Sequence, residues 1–230
     1  MMDIRKIIQA IDHTNLDPCA TEQEILAFAA AAYPKGHRQG IGIASLCVQP
    51  CYVETLAQHF PGGVPICTVV GFPQGCEPAE IKAAAARQAF ADGASEVDMV
   101  APLGRIKAGD YSAVQREVAT VLAERPAGGK VKVILETGAL TDEEILGTVQ
   151  ALNQLDIDFY KTSTGFGYPG ASVHAAELIM QAKRPEIQLK VSGGIRTIED
   201  AEQYLRLGAT RIGASKLLAA CMQRLRVPLG

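Results

Sequence analysis

The sequence predicts a single-domain α/β fold, a (β/α)8 TIM barrel over residues 1–230 with one extra helix ahead of its first strand. Three observations lead there. Short β-branched runs alternate with longer amphipathic stretches along the whole chain. Runs such as Val131–Leu135 read apolar on both faces, which suits a parallel sheet covered by helices. No linker-like or low-complexity segment interrupts the pattern, so one domain accounts for it.

Taken in order, Met1–Lys6 leads into an amphipathic helix pattern and not into a signal-peptide core. Ile11–Thr14 follows as a strand. Seven further strands are predicted at Ile41–Val48, Pro65–Val70, Ser95–Val100, Lys130–Glu136, Ile157–Thr162, Ile187–Ser192 and Thr210–Ala214. Helical segments between them include Pro78–Asp92, Tyr111–Glu124 and Ala171–Lys183. Thr21 with Glu24, Thr141 with Glu144 and Thr197 with Asp200 each fit a capping box, in which the side chains satisfy orphan N–H groups of the first turn. Pro78 fits a first-turn position, and Gly93 and Gly208 each end a helix before a strand. Eight such units make a barrel; a doubly wound open sheet is the alternative that strand count leaves standing.

Composition narrows the function. A net charge of −3 gives no global attraction to nucleic acid or to an anionic membrane, so any bound anion must be held by local donors. No apolar run reaches the roughly 20 residues of a membrane span. The six cysteines, Cys19, Cys47, Cys51, Cys67, Cys76 and Cys221, contain no C-x-x-C pair, so no metal site is expected. Several lie in apolar runs, as reduced thiols do, and the expected compartment is the cytoplasm. The outer helices could be solvated or could pair into a homo-oligomer with equal ease.

Barrel active sites collect at the C-terminal ends of the strands. Applied here, that rule brings Lys161 on the sixth strand next to Lys190 on the seventh. The charge of each disfavours protonation of the other, and burial acts in the same direction. An amine so activated attacks a carbonyl carbon to form an imine, an electron sink for carbon–carbon bond cleavage. The competing reading is that each lysine neutralises a carboxylate. Asp98, on the same strand face as Glu96, is then a proton-relay carboxylate or one arm of a salt bridge inside the barrel mouth. Asp12 is read the same two ways, with the structural role preferred.

A second constellation lies after strands seven and eight. Gly193, Gly194, Gly213 and Ser215, with Gly165 after strand six, can present backbone N–H groups and a hydroxyl to a phosphate. Thr14 and Cys47 are candidate pocket walls; Cys47 reads equally well as a small buried apolar residue. His13, His37, His59 and His174 show no ligand spacing and read as surface or packing residues.

These motifs, in this order, resemble the deoxyribose-phosphate aldolases, class I aldolases that join acetaldehyde to glyceraldehyde 3-phosphate. The resemblance rests on Ile11–Thr14, Leu46–Pro50, Val69–Pro73, Glu96–Val100, Lys132–Thr137, Lys161–Phe166, Lys190–Arg196 and Arg211–Ser215, and it spans nearly the whole chain. It implies Lys161 as the Schiff-base lysine, Lys190 as its charged neighbour and Asp98 as the relay carboxylate. It also implies a phosphate pocket at Gly165, Gly193, Gly194, Gly213 and Ser215. The implied partners are a small phosphosugar and an aldehyde, with no metal or organic cofactor. Three departures stand out. Lys216 stands where many relatives carry a second serine or another small residue, Ala101-Pro102 follows the relay strand in place of the usual pair, and Val227–Gly230 lacks the tail tyrosine of some relatives. The rival functions are a different phosphosugar isomerase or aldolase on this scaffold, and a non-catalytic phosphosugar binder.

Overall fold

The computed structural model describes residues 2–33 and 42–225. His37, Ile41 and Val227–Gly230 lie outside the described residues. Eight parallel strands close into one barrel in chain order, with the last pairing back to the first.

Helix α1 (Ile4–Gln9) precedes β1 (Ile11–Asn15), and α2 (Glu22–Ala30) leads to β2 (Ser45–Val48). Then come α3 (Val53–His59), β3 (Ile66–Val70), α4 (Ala79–Ala91), β4 (Glu96–Val100), α5 (Leu103–Lys107), α6 (Tyr111–Leu122) and β5 (Lys130–Ile134). The chain continues through α7 (Asp142–Leu152), β6 (Phe159–Lys161), α8 (Val173–Ala182), β7 (Gln188–Ser192), α9 (Ile198–Arg206), β8 (Arg211–Ala214) and α10 (Leu217–Leu225). The barrel, its eight strands and the extra helix α1, which packs against α9 and α10, are as the sequence predicts. An open doubly wound sheet is excluded by the β1–β8 pairing.

Local chemistry explains where the elements start. Both halves of the capping box are present at Thr21/Glu24, Thr141/Glu144 and Thr197/Asp200. Pro78 occupies the N-cap of α4 and not its first turn, in extended backbone that a proline adopts without strain. Most strands are one or two residues shorter than the pattern suggests, β6 is three shorter, β2 begins only at Ser45 and β1 runs one residue longer. Glu136, for example, lies beyond β5 as the cap of a short 3-10 turn.

One expectation needs correcting. Both faces of the sheet are buried, yet they are not both apolar. Val97, Met99, Val131, Val133, Leu189 and Val191 face the outer helices as part of the main core. The alternate residues Asp98, Lys132 and Lys190 point into the barrel, where they bond one another and are completely buried. A covered parallel strand therefore need not be apolar throughout when its inward charges find partners.

Candidate active site

The barrel interior carries a charged network of seven side chains. Its carboxylates are Asp12, Glu96 and Asp98; its cations are Lys132, Lys161, Lys190 and Arg211. At the N-terminal end of the barrel, Arg211 donates two bonds to Glu96, at 2.9 and 2.8 Å, and one to Asp12 at 2.6 Å. The ring of Phe159 lies 5.2 Å from this guanidinium and 5.7 Å from the Lys132 ammonium, in the range of a cation–π contact. Lys132 links the two layers, reaching Glu96 at 2.5 Å and Asp98 Oδ1 at 2.9 Å.

The upper layer centres on Asp98. Its Oδ2 accepts from Lys161 at 2.8 Å and from Lys190 at 2.7 Å. Lys161 and Lys190 are register partners on β6 and β7, so the two strands deliver both amines to one oxygen. Lys161 ends its strand, as expected. Lys190 is the third of five residues in β7 and sits deeper, with Asp12 2.5 Å from its amine. Asp12 is a full member of the network and not a separate salt bridge.

Electrostatics fix the charge states around Lys161. Burial alone would raise the Asp98 pKa, but Lys132, Lys161 and Lys190 outweigh it and hold the carboxyl well below its ordinary value. Burial would likewise lower Lys190, yet Asp12 and Asp98 keep its pKa above that of a free lysine. Asp12 and Asp98 thus favour the charged form of Lys190 beside Lys161. Among these cations Lys161 alone bonds a single carboxylate; Lys132, Lys190 and Arg211 each bond two or more.

Above Lys161 opens a cavity of about 640 Å³. Gly165, Gly193, Gly194, Gly213, Ser215 and Thr14 all line it, together with Lys161, Arg196 and Lys216. Asp98, Lys190 and Cys47 do not reach the cavity; they lie beneath Lys161, the one charged side chain common to both. Two glycines are needed for close packing. A Cβ on Gly193 would stand 2.9 Å from Gly170 Cα, and its φ of +87° disfavours any side chain. A Cβ on Gly213 would stand 2.9 Å from Ser192 Cβ and 3.1 Å from Lys190 Cε, so this glycine makes room for the lysine as well as edging the cavity.

Cys47 is fully buried in a cluster with Leu16, Cys67, Val69 and Phe72, which supports the small-apolar reading over the pocket wall. His13 is a packing residue stacked 3.9 Å from Phe28, while His59 and His174 are exposed. Ala101 is buried and Pro102 caps α5 beside the relay strand.

Lys132, Arg211, Glu96 and Cys67 were not assigned roles from sequence. The signal existed for Lys132, since Lys130-Val131-Lys132-Val133 alternates within a strand, but which face points inward depends on barrel register. Glu136 was also missed. It is the one non-glycine residue with positive φ among those described, at 55°, and its buried carboxyl accepts from the Thr164 backbone N–H at 3.2 Å and from the Thr164 hydroxyl. Burial raises its pKa despite those bonds. Among the described residues, two groups of side chains have donor atoms close enough to hold a metal, Cys47 with Cys67 and Asp98, and Asp12 with Cys67 and Glu96. In both, the carboxylates are already engaged by Lys or Arg.

Comparison with known proteins agrees with the closed barrel. The chain is 40% identical over 221 residues to a protein of Clostridium perfringens named deoxyribose-phosphate aldolase, covering 96% of each chain. It is 42% identical over 212 residues to deoxyribose-phosphate aldolase 1 of Bacillus licheniformis, covering 92% of each. Among solved structures, the tetrameric deoxyribose phosphate aldolase of Aeropyrum pernix superimposes with a TM-score of 0.82 at 30% identity, over 97% of this chain and 92% of that one. Residues 6–223 match the DeoC/LacD family aldolase model, so the chain is a member of the DeoC/LacD family of aldolases.

Proposed function

We propose that this aldolase cleaves 2-deoxy-D-ribose 5-phosphate reversibly to glyceraldehyde 3-phosphate and acetaldehyde. The observation that carries the reading is the shared contact of Lys161 and Lys190 with Asp98 Oδ2. Lys161 is the amine that meets the cavity, and Lys190 is the buried cation that remains charged beside it.

In this reading the neutral amine of Lys161 attacks C1 of the open-chain sugar, and loss of water gives an imine. A water drawn in beside Lys161 and hydrogen-bonded to Asp98 and Lys190 beneath it takes the C3 hydroxyl proton, and the C2–C3 bond breaks. Its electrons pass into the imine to give an enamine. Glyceraldehyde 3-phosphate leaves, and protonation and hydrolysis of the enamine release acetaldehyde and regenerate Lys161. The phosphate is held by the backbone of Gly165, Gly193, Gly194 and Gly213 and by the Ser215 hydroxyl, with Thr14 also lining the cavity. That anchor orients C1 toward the amine.

The names of the C. perfringens and B. licheniformis relatives support the substrate. No described helix is long and apolar enough to cross a membrane. We extend the reading to a cytoplasmic enzyme, and the tetramer described for the A. pernix relative supports homo-oligomer formation through the outer helices. The test is reductive trapping. Acetaldehyde with borohydride is expected to add one ethyl group to Lys161, located by peptide mapping; an unmodified Lys161 in protein that consumed the reagents would overturn the assignment.

A further inference from the structure

Cys47 and Cys67 have no part in the proposed reaction, yet they are placed as a pair. They are register partners on β2 and β3. Adjacent strands run about 4.8 Å apart, inside the Cα separation of about 4.4–6.8 Å that a disulfide tolerates. Their sulfurs lie within 4.8 Å of each other and of an Asp98 oxygen. Both residues are completely buried, and Leu16 packs on them while also lining the cavity. Leu16 therefore stands between the pair and the open site, with Phe72 packed against the same cluster.

We propose that Cys47 and Cys67 are a redox-active dithiol beneath Lys161, oxidised by a small peroxide to a disulfide and restored by a thiol reductant. Cys67 Sγ–H donates to Asp98 Oδ1 at 3.1 Å, and Lys132 donates to the same sulfur at 3.3 Å. The two thiols are also unequal. The neighbouring Cys67 side chain, with a smaller contribution from the Lys190 charge, outweighs burial and lowers the Cys47 thiol; burial raises Cys67, whose one proton is held by Asp98. Cys47 is thus the sulfur that meets the oxidant.

The step balances. Peroxide transfers one oxygen to the Cys47 sulfur as its O–O bond breaks, giving a sulfenic acid and water. The Cys67 sulfur then attacks that sulfur, the S–O bond breaks, and the hydroxyl leaves as a second water with the Cys67 proton. Two thiols and one hydrogen peroxide become one disulfide and two waters. The oxidised pair can no longer donate to Asp98 Oδ1, so the carboxylate beneath Lys161 loses one of its fixed donors. Because both thiols are completely buried, the expected reactant is an oxidant no larger than hydrogen peroxide. The effect on turnover rests on the aldolase reading above, but the cross-link does not.

The experiment uses the full chain carrying Cys19→Ser, Cys51→Ser and Cys76→Ser, which removes the exposed thiols. Hydrogen peroxide is expected to remove two hydrogens from the intact mass and to join the Cys47 and Cys67 peptides in the map. Acetaldehyde release from deoxyribose 5-phosphate should fall at least ten-fold and return on addition of dithiothreitol. Iodoacetamide should label neither residue in the folded protein, and Cys67→Ser in the same background should abolish the cross-link and leave Cys47 to gain oxygen. An unchanged mass after peroxide, or oxygen added to Cys47 without a cross-link while Cys67 is present, would overturn the proposal. A cross-link in protein that never releases acetaldehyde would uphold the dithiol and sink the aldolase reading.

Discussion

Lys161 and Lys190 face each other across β6 and β7, and both amines bond the same oxygen of Asp98, at 2.8 and 2.7 Å. The relationship ties two properties together. Asp98 lowers the cost of burying adjacent like charges, and it stands where a relay for a Lys161 imine would have to be. The rest of the network supports it: Lys132 holds the other Asp98 oxygen, and Asp12 holds Lys190 from below.

Asp98→Asn tests whether that carboxylate does more than balance charge. An amide keeps the shape but cannot compensate Lys132, Lys161 and Lys190, and removing one partner from a buried charged group costs about 3–5 kcal/mol. Turnover is expected to fall at least about 100-fold, the scale of a lost acid–base group, together with a lower melting temperature. Melting and steady-state kinetics should be measured on the same preparation. A less stable protein with turnover within a few-fold of the parent would reduce Asp98 to a structural ion partner.

Gly213→Ala separates the two jobs assigned to that glycine. The added methyl would press on Ser192 Cβ and on Lys190 Cε. Because Lys190 is fully buried between two carboxylates, it has little freedom to retreat. The variant is expected to lose kcat as well as raise KM for the phosphosugar. A rise in KM alone would mean that Gly213 serves only the cavity edge.

Much of this site is legible in the sequence because two periodicities carry it. Alternation within β4 puts Glu96 and Asp98 on one face, and the βα order puts Lys161 and Lys190 on neighbouring strands, so their meeting needs no side-chain detail. Lys132, Arg211 and Cys67 are harder to read, since their alternation is visible but the inward face is set by barrel register. Cys47 shows the opposite error: a strand end near the mouth suggests a pocket wall, but Leu16 and Phe72 close over it. Glu136 escapes entirely, because its left-handed backbone and its bonds to Thr164 arise only when the loops after β5 and β6 meet.

Lys216 places a charge at the cavity edge, and its consequence is measurable. It begins the turn into α10, lines the cavity beside Ser215, and its ammonium has no hydrogen-bond or ion-pair partner among the described residues. An exposed cation near a bound dianion contributes about 0.5–1 kcal/mol in low salt, or roughly a two- to five-fold effect on affinity. Lys216→Ser is therefore expected to raise KM for the phosphosugar by that factor, leave kcat nearly unchanged, and weaken the dependence of KM on ionic strength. Equal salt dependence in parent and variant would show that the side chain points away from the phosphate.

His13 makes stability depend on pH in a window separate from the carboxylates. Burial lowers its pKa from 6.5 to about 4, outweighing a hydrogen bond with the Ala214 backbone, and its ring is stacked on Phe28. The unfolded chain therefore takes up a proton first. Stability should hold above pH of about 6.5 and decline as pH falls toward about 4, by about 3 kcal/mol in all at 1.36 kcal/mol per unit. Asp12, Glu96 and Asp98 are shifted the other way relative to their charge, with pKa values below the ordinary carboxylate range, so their stabilisation is lost only in stronger acid. Urea unfolding of the parent and of His13→Leu between pH 7 and 4 separates the contributions. The variant should show a nearly flat midpoint until the carboxylates begin to titrate, whereas a parent-like decline in His13→Leu would assign the slope to another group.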